Sequence, residues 1–188
     1  MRSQKLPLLL GSLAGASLIV VGWLGSDVRA LQQLRRREHL NSPEAVFHWV
    51  THHYRQALAT DPVLPSDSLQ NQLRRPSRRL WCDEGAILIG LLNQQLGLRT
   101  RLVDLLDART GISHHTTLQV LEGGRWTTYD FTSARSGISL ASTVPYRANP
   151  RYRDYPTNPV QQLLLHNALA RAVVSKAREL QRVHAQTP

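Results

Sequence analysis

A continuous apolar segment in the middle of the chain limits what this sequence can fold into. It follows the single cysteine, Cys82, carries charges only at Asp83 and Glu84, and stops at Gly97, a residue suited to the left-handed end of a helix. Because apolar side chains cover most of its circumference, the pattern predicts a helix buried in the core of the protein. Cys82 then lies in the first turn of that helix.

The first turn of a helix influences whether a thiol ionises. Unpaired backbone N–H groups and the positive end of the helix dipole favour the thiolate form. The carboxylates of Asp83 and Glu84 act in the opposite direction, because they disfavour another negative charge beside them. A thiolate at Cys82 therefore needs a cationic partner, and a histidine imidazole is suited to that role.

Two β-rich segments downstream predict a hairpin. Residues 116–121 and 125–131 are rich in Thr, Val, Leu, Trp and Tyr, and the adjacent glycines between them, Gly123 and Gly124, are typical of a two-residue turn. With these glycines at the turn, the pairing of the two strands is set along their whole length.

This pairing predicts that His115 and Asp130 lie on one face of the hairpin. Asp130 stands opposite Thr117, and His115 lies two residues before Thr117, so both side chains project from the same face. Such diagonal neighbours are about 7–8 Å apart at the backbone, within reach of an imidazole–carboxylate hydrogen bond. His114 projects from the other face. A turn one residue longer or shorter would move Asp130 to the side of His114.

Three blocks of the sequence resemble the transglutaminase-like core domain, over about residues 43–135. The blocks are Cys82–Glu84 followed by Gly97–Arg101, then His115–Val120, then Gly124–Thr132. The resemblance implies a papain-like triad on an α+β scaffold, with the cysteine at the start of a helix that packs on an antiparallel sheet. It implies that Cys82 is the nucleophile, that His115 is the general base and then the acid, and that Asp130 orients the imidazole.

The sequence departs from the family pattern around the three blocks. Many members have a glycine two residues before the cysteine, where this chain has Leu80, and a proline after the aspartate, where it has Phe131. After the histidine, Thr116, Thr117 and Gln119 replace aromatic and acidic residues. These changes leave the triad in place and concern the groove that receives the substrate.

The resemblance implies acyl transfer at an amide bond through a thioester on Cys82. We expect a membrane-anchored cysteine peptidase or amidase that acts on a protein or peptide amide. A protein-cross-linking transglutaminase is the alternative within the same chemistry. A non-catalytic, membrane-tethered binding or scaffold module on the same fold is the alternative from another class. We expect no cofactor.

A metal site is the remaining candidate for chemistry. His48 and His52 are four residues apart on a predicted helix, and His53 is adjacent, but no carboxylate or cysteine stands nearby at a ligand spacing. We therefore expect a structural or surface role for these histidines and no bound metal.

The N-terminal segment Leu6–Ser26 contains no charged residue and is long enough to span a bilayer, which needs about 20 apolar residues. A cleaved signal peptide ending near Ala30 is the alternative. The apolar run exceeds the roughly 7–15 residues typical of a signal peptide, which favours an uncleaved anchor. The sequence thus predicts an anchor or signal segment at residues 1–30, a core domain at 31–157 and a C-terminal helix at 158–188.

Charge gives conflicting indications about membrane orientation. Arg2 and Lys5 precede the apolar segment, but Arg29 and the arginines at 35–37 follow it, and the positive-inside rule would keep the domain cytoplasmic. Similar tethered or secreted members of the family face outward. We expect a single-pass inner-membrane protein whose domain faces the periplasm. Secretion after cleavage and a cytoplasmic orientation remain the alternatives.

The chain is strongly basic, with 23 Lys and Arg residues against 13 Asp and Glu residues. A solvated surface that favours anionic lipid headgroups explains this balance, and attraction of an acidic protein or polysaccharide is the functional alternative. No nucleic-acid-binding motif accompanies the charge, which argues against a nucleic acid partner.

Helices are predicted on both sides of the core domain. Ser42, Pro43 and Glu44 supply a cap, a first-turn proline and a first-turn acid to a helix that continues to Tyr54. The long C-terminal helix either packs on the core or offers its apolar stripe to a partner. Residues 136–156, rich in Pro, Arg and Tyr, are predicted to form a loop that borders the cleft.

Overall fold

A computed structural model of the chain describes residues 26–58, 69–74, 79–107, 109–140 and 149–155. These residues form helices and strands of an α+β fold. The helices are α1 at residues 26–37, α2 at Pro43–His53, α3 at Leu69–Arg74 and α4 at Cys82–Gln94. The strands are β1 at Arg55–Gln56, β2 at Arg79–Leu80, β3 at Thr100–Leu106, β4 at Ser113–Glu122, β5 at Arg125–Asp130, β6 at Arg135–Ser136 and β7 at Asn149–Tyr155.

Five of the strands form an antiparallel sheet in the order β6-β5-β4-β3-β7. The short strands β1 and β2 pair separately and in parallel. Helix α4 packs against β3 and β4, so the cysteine-bearing helix lies against the middle of the sheet. The sequence prediction of an α+β chain with a helix against an antiparallel sheet is confirmed at this level.

The hairpin of β4 and β5 has the predicted turn and register. Gly123 and Gly124 both have positive φ angles, 52° and 82°, which a type I′ turn requires and which glycine adopts without strain. The strand pairs on either side of the turn are Glu122↔Arg125, Leu121↔Trp126, Val120↔Thr127, Gln119↔Thr128 and Leu118↔Tyr129.

The predicted buried helix is α4. Its backbone begins at Cys82, where the N–H of Trp81 donates to Glu84 Oε2 at 3.0 Å, and the turn after its end includes Gly97 with φ +76°. Its apolar residues pack with α2, β3, β4 and β5 in one core. This core includes Val46, Phe47, Val50, Ala86, Leu88, Ile89, Leu92, Leu102, Leu118, Val120, Tyr129 and Phe131.

Helix α2 begins as the sequence predicts. The Ser42 hydroxyl accepts a hydrogen bond from the Ala45 N–H at 3.1 Å, and Pro43 occupies the first turn, where its missing N–H costs nothing. The helix ends at His53 because Tyr54 is extended, with φ −124° and ψ 145°.

The predicted loop at residues 136–156 is wrong for its C-terminal part. Residues Asn149–Tyr155 form β7, which pairs antiparallel with β3, and Pro150 stands opposite Leu105. Among the described residues β7 is an edge strand of the sheet, and an edge strand tolerates a proline. The Pro, Arg and Tyr residues of this segment indicate a loop, but pairing with the distant strand β3 makes residues Asn149–Tyr155 a strand.

Several predictions concern other parts of the chain. Within the described ranges, no helix is long and apolar enough to cross a bilayer. The predicted span Leu6–Ser26 lies outside these ranges except for its last residue, and the predicted C-terminal helix at 158–188 lies outside them entirely. The anchor, the domain boundaries and the membrane orientation stay predictions.

Candidate active site

His115 and Asp130 form a buried pair on adjacent strands. The Nε2 atom of His115 lies 2.9 Å from Oδ1 of Asp130, and the two side chains are only 5% and 3% exposed. The hairpin register explains the contact, because it puts both residues on one face of the sheet as diagonal neighbours. With Nε2 directed at Asp130, Nδ1 is the ring nitrogen left to face another partner.

That other partner is the thiol of Cys82. Burial is the largest single influence on His115 and acts to lower its pKa. Hydrogen bonds to Asp130 and Cys82, together with the negative charge of both partners, outweigh burial and raise the pKa of His115 to about 9. The imidazole is therefore protonated at neutral pH and can stabilise a thiolate beside it.

Cys82 occupies the first position of α4 and is half-buried. Its sulfur therefore lies where backbone N–H groups are unpaired and the helix dipole favours a negative charge. The carboxylate of Glu84, which the sequence predicts to oppose ionisation of the thiol, accepts the Trp81 N–H. The structure thus brings together all three residues that the sequence singled out, while their chemical roles stay predictions.

Asp130 is fixed by two donors besides the imidazole. Its Oδ1 accepts the Thr132 N–H at 3.2 Å, and its Oδ2 accepts the Ser133 hydroxyl at 2.7 Å. Burial acts to raise the pKa of Asp130, but the hydrogen bond from His115, those from Ser133 and Thr132, and the charge of His115 outweigh it and hold the pKa below the ordinary value. Asp130 is consequently a carboxylate that can orient and stabilise the imidazolium.

Sequence reasoning missed the role of Thr132 and Ser133. An aspartate followed two and three residues later by Thr and Ser is a recurrent turn pattern in which the side chain caps the backbone. Attention to that pattern would have found both donors. The Thr132 hydroxyl also donates to Gln56 Oε1 at 3.1 Å, and Gln56 pairs with Leu80 just before the cysteine. This connection between distant segments has no local sequence signal.

Phe131 joins the acid-bearing strand to the cysteine-bearing helix. Its ring lies directly against the backbone of Gly85, and a Cβ atom at that position would overlap the ring. Phe131 is 3% exposed and belongs to the main core. The bare backbone of Gly85 thus makes room for the aromatic ring of Phe131.

The other histidines that the sequence analysis considered lie away from this pair. His114 is exposed on the hairpin. His48, His52 and His53 line a cavity of about 580 Å³ beside α2 that includes none of the three candidate residues. Across the described parts of the chain, no group of three His, Cys, Asp or Glu side chains is arranged to hold a metal ion.

Comparison with known proteins gives a distant likeness to solved structures. No protein-family model matches the chain, and no curated protein does. Among solved structures, the chain is similar to a protein from Cytophaga hutchinsonii described as a "Putative Cysteine Protease", with 14% sequence identity and a TM-score of 0.43. The alignment covers 68% of this chain and 49% of that one, so this chain spans about half the length of that protein.

Proposed function

We propose that this chain is a cysteine-dependent enzyme of the transglutaminase-like type that cleaves an amide bond in a protein or peptide. The observation that carries the proposal is the His115 imidazole held between Asp130 and Cys82, with its pKa raised to about 9. A thiol beside a protonated imidazole at a helix N-terminus is the environment of an activated cysteine nucleophile.

The first half of the reaction forms a thioester. The Cys82 thiolate attacks the amide carbonyl carbon, and the carbonyl π electrons move to oxygen to give a tetrahedral oxyanion. The His115 imidazolium then donates its proton to the amide nitrogen, the C–N bond breaks, and the amine leaves. His115 is left neutral beside an acylated Cys82.

The second half of the reaction regenerates the thiolate. Neutral His115 accepts a proton from water, and the hydroxide formed attacks the thioester carbonyl. The C–S bond breaks, the carboxylic acid product leaves, and the thiolate–imidazolium pair is restored. A primary amine in place of water would give a new amide, which is the transglutaminase alternative.

Two further groups support the proposed chemistry. Asp130 keeps the imidazole in one orientation and stabilises its positive charge, since its own position is fixed by Thr132 and Ser133. The backbone N–H of Cys82 is among the first four of α4 and has no acceptor within the helix, so it is suited to stabilise the oxyanion.

We further propose that the domain acts at a membrane. The uncharged segment Leu6–Ser26 would tether it to the bacterial inner membrane, with the domain on the periplasmic side. The excess of basic residues would favour contact with anionic lipid or polysaccharide. Labelling of a single introduced surface cysteine by an impermeant maleimide in whole cells of a Cys82→Ala background tests the orientation.

Alkylation of Cys82 tests whether the thiol is activated. Iodoacetamide should modify Cys82 rapidly at pH 6, well below the ordinary thiol pKa of about 8.5. The rate should fall in His115→Gln and stay unchanged in His114→Gln, a matched control on the adjacent exposed residue. Modification of the wild type only above pH 8 would favour the non-catalytic binding module.

Product analysis separates hydrolysis from transamidation. Incubation with casein and a fluorescent primary amine should release peptides or ammonia without incorporating the amine, and Cys82→Ala should abolish the reaction. Incorporation of the amine into casein would instead establish the cross-linking activity.

A further inference from the structure

A series of hydrogen bonds connects Asp130 to the backbone just before Cys82. The Thr132 N–H donates to Asp130 Oδ1 at 3.2 Å, and the hydroxyl of the same threonine donates to Gln56 Oε1 at 3.1 Å. Gln56 belongs to β1, and its partner in the β1–β2 pairing is Leu80, two residues before Cys82. The aspartate and the cysteine are therefore connected by a route that does not pass through the imidazole between them.

Both ends of the Gln56 side-chain amide are engaged. Its Oε1 accepts the Thr132 hydroxyl, and its Nε2 donates to the backbone oxygen of Ala57 at 3.1 Å. The Ala57 N–H in turn donates to the backbone oxygen of Leu80 at 2.8 Å. Because one end of an amide can only accept and the other can only donate, these two contacts select one orientation of the half-buried side chain.

The backbone on both sides of this amide is anchored in the interior. Tyr54, Ala57 and Leu80 are buried, and Tyr54 and Leu80 belong to the main core. Thr132, in contrast, is exposed in the turn that follows β5. Because close-packed interiors resist displacement, β1 is a firm support to which Gln56 fastens the exposed turn.

This hydrogen bond joins two separate sheets. Among the described strands, β1 and β2 form a sheet of their own, whereas His115 and Asp130 lie on the five-stranded sheet. Cys82 follows β2, so its position relative to the imidazole depends on how the two sheets are held together. A misplacement of about 1 Å at a reacting group is enough to slow a reaction by roughly a hundred-fold.

We propose that Gln56 is a positioning residue that fixes the Cys82 segment relative to the His115–Asp130 pair. It acts through Thr132 on the side of the aspartate and through the backbone of β2 on the side of the cysteine. The inference rests on the proposed function, because it takes Cys82 as the reactive thiol. Its physical content is preorganisation: the thiolate and the imidazolium are in contact before the substrate arrives, so that contact does not have to be built during the reaction.

The pH dependence of Cys82 alkylation by iodoacetamide tests this role. Thr132→Val removes the hydroxyl that Gln56 accepts, but it keeps the shape of the side chain and the backbone N–H that Asp130 accepts. We expect the alkylation rate at pH 6 to fall about three- to ten-fold, as the loss of one hydrogen bond implies. At pH 10, where an ordinary thiol is ionised, the variant and wild-type rates should be equal.

Two threonine variants serve as controls. Thr132→Ser keeps the hydroxyl and should restore the wild-type rate at pH 6. Thr51→Val removes the hydroxyl of another threonine, one that donates within α2 to the Phe47 backbone oxygen, and should leave the rate unchanged. Gln56→Leu should slow alkylation at pH 6, and adding Thr132→Val to it should cause no further loss, because both changes break the same bond.

The possible outcomes separate this inference from the proposed function. An unchanged rate in Thr132→Val, a Thr132→Ser variant that is equally slow, or equal losses at pH 6 and pH 10 would overturn the positioning role alone. A wild type that reacts only above pH 8 would overturn the proposed function and this inference with it. Urea unfolding verifies that each variant is folded. If Gln56→Leu does not fold, the two changes at the exposed Thr132 decide the matter.

Discussion

The carboxylate of Asp130 and the imidazole of His115 meet at 2.9 Å across two strands whose register is set by a two-glycine turn. Neither residue is near the other in sequence, and both side chains are almost fully buried. The pair remains charged because each partner compensates the burial of the other. Replacement of one partner therefore changes the pKa of the other.

Asp130→Asn keeps the shape of the side chain and removes its charge. We expect the pKa of His115 to fall, because Asp130 supplies a hydrogen bond and a charge that favour the imidazolium. Alkylation of Cys82 at pH 6 should slow, and turnover of a cognate substrate should fall by roughly 10²–10⁴-fold, as in other triads. Kinetics of iodoacetamide labelling measures the first effect. Ser133→Ala, which removes one donor to Asp130, should give a smaller loss, and an equal loss would contradict this hierarchy.

Stability should depend on pH through the same pair. The folded pKa of His115, about 9, exceeds its ordinary value of 6.5, so its stabilising effect is complete below about pH 6.5 and is lost as pH rises through 9. The folded pKa of Asp130 is lowered from 3.8, so its contribution is complete above that value and is lost at lower pH. Thermal unfolding should therefore show maximal stability from this pair between about pH 4 and pH 6.5.

His115→Gln is the control for the alkaline side of this profile. The variant lacks the titrating imidazole, so the decrease of the unfolding temperature between pH 6.5 and 9 should become shallower. An unchanged slope would mean that another group controls stability in that range.

Gly85→Ala should destabilise the protein by about 1–3 kcal/mol, because the new methyl group overlaps the buried Phe131 ring. Urea unfolding measures the loss. Phe131→Leu in the same chain should recover part of it, since a smaller side chain leaves room for the methyl group. If the loss of stability in the double variant equals the sum of the two single losses, the two residues do not interact.

Ser42→Ala separates stability from site chemistry. The Ser42 hydroxyl caps α2 by accepting the Ala45 N–H, and its loss should cost about 1 kcal/mol of folding free energy. Its position at the start of α2 predicts an unchanged rate of Cys82 alkylation under native conditions. A slower rate would link α2 to the site.

The sequence allowed prediction of the features that local patterns specify. The apolar run after Cys82 predicted α4, and the adjacent glycines at 123 and 124 predicted both the turn and the pairing that places His115 beside Asp130. Strand β7 was not predicted, because Pro150 and its neighbours are typical of a loop and only pairing with β3 makes them a strand.

Contacts between distant segments account for the rest. The Thr132–Gln56 hydrogen bond and the contact between the Arg101 guanidinium and the Trp126 ring depend on side chains that meet only after several strands have assembled. No spacing along the chain indicates such meetings. The sequence could nevertheless place the three candidate residues, because a hairpin and a helix terminus are both short-range structures.

The contact between Phe131 and Gly85 has a consequence for how the protein loses activity on heating. The ring belongs to the main core and touches the helix turn that bears Cys82, while its neighbour in sequence is Asp130. Displacement of either the Phe131 ring or the first turns of α4 would therefore open the interior to water. We expect inactivation and global melting to coincide, so that no folded but inactive species accumulates at intermediate temperatures.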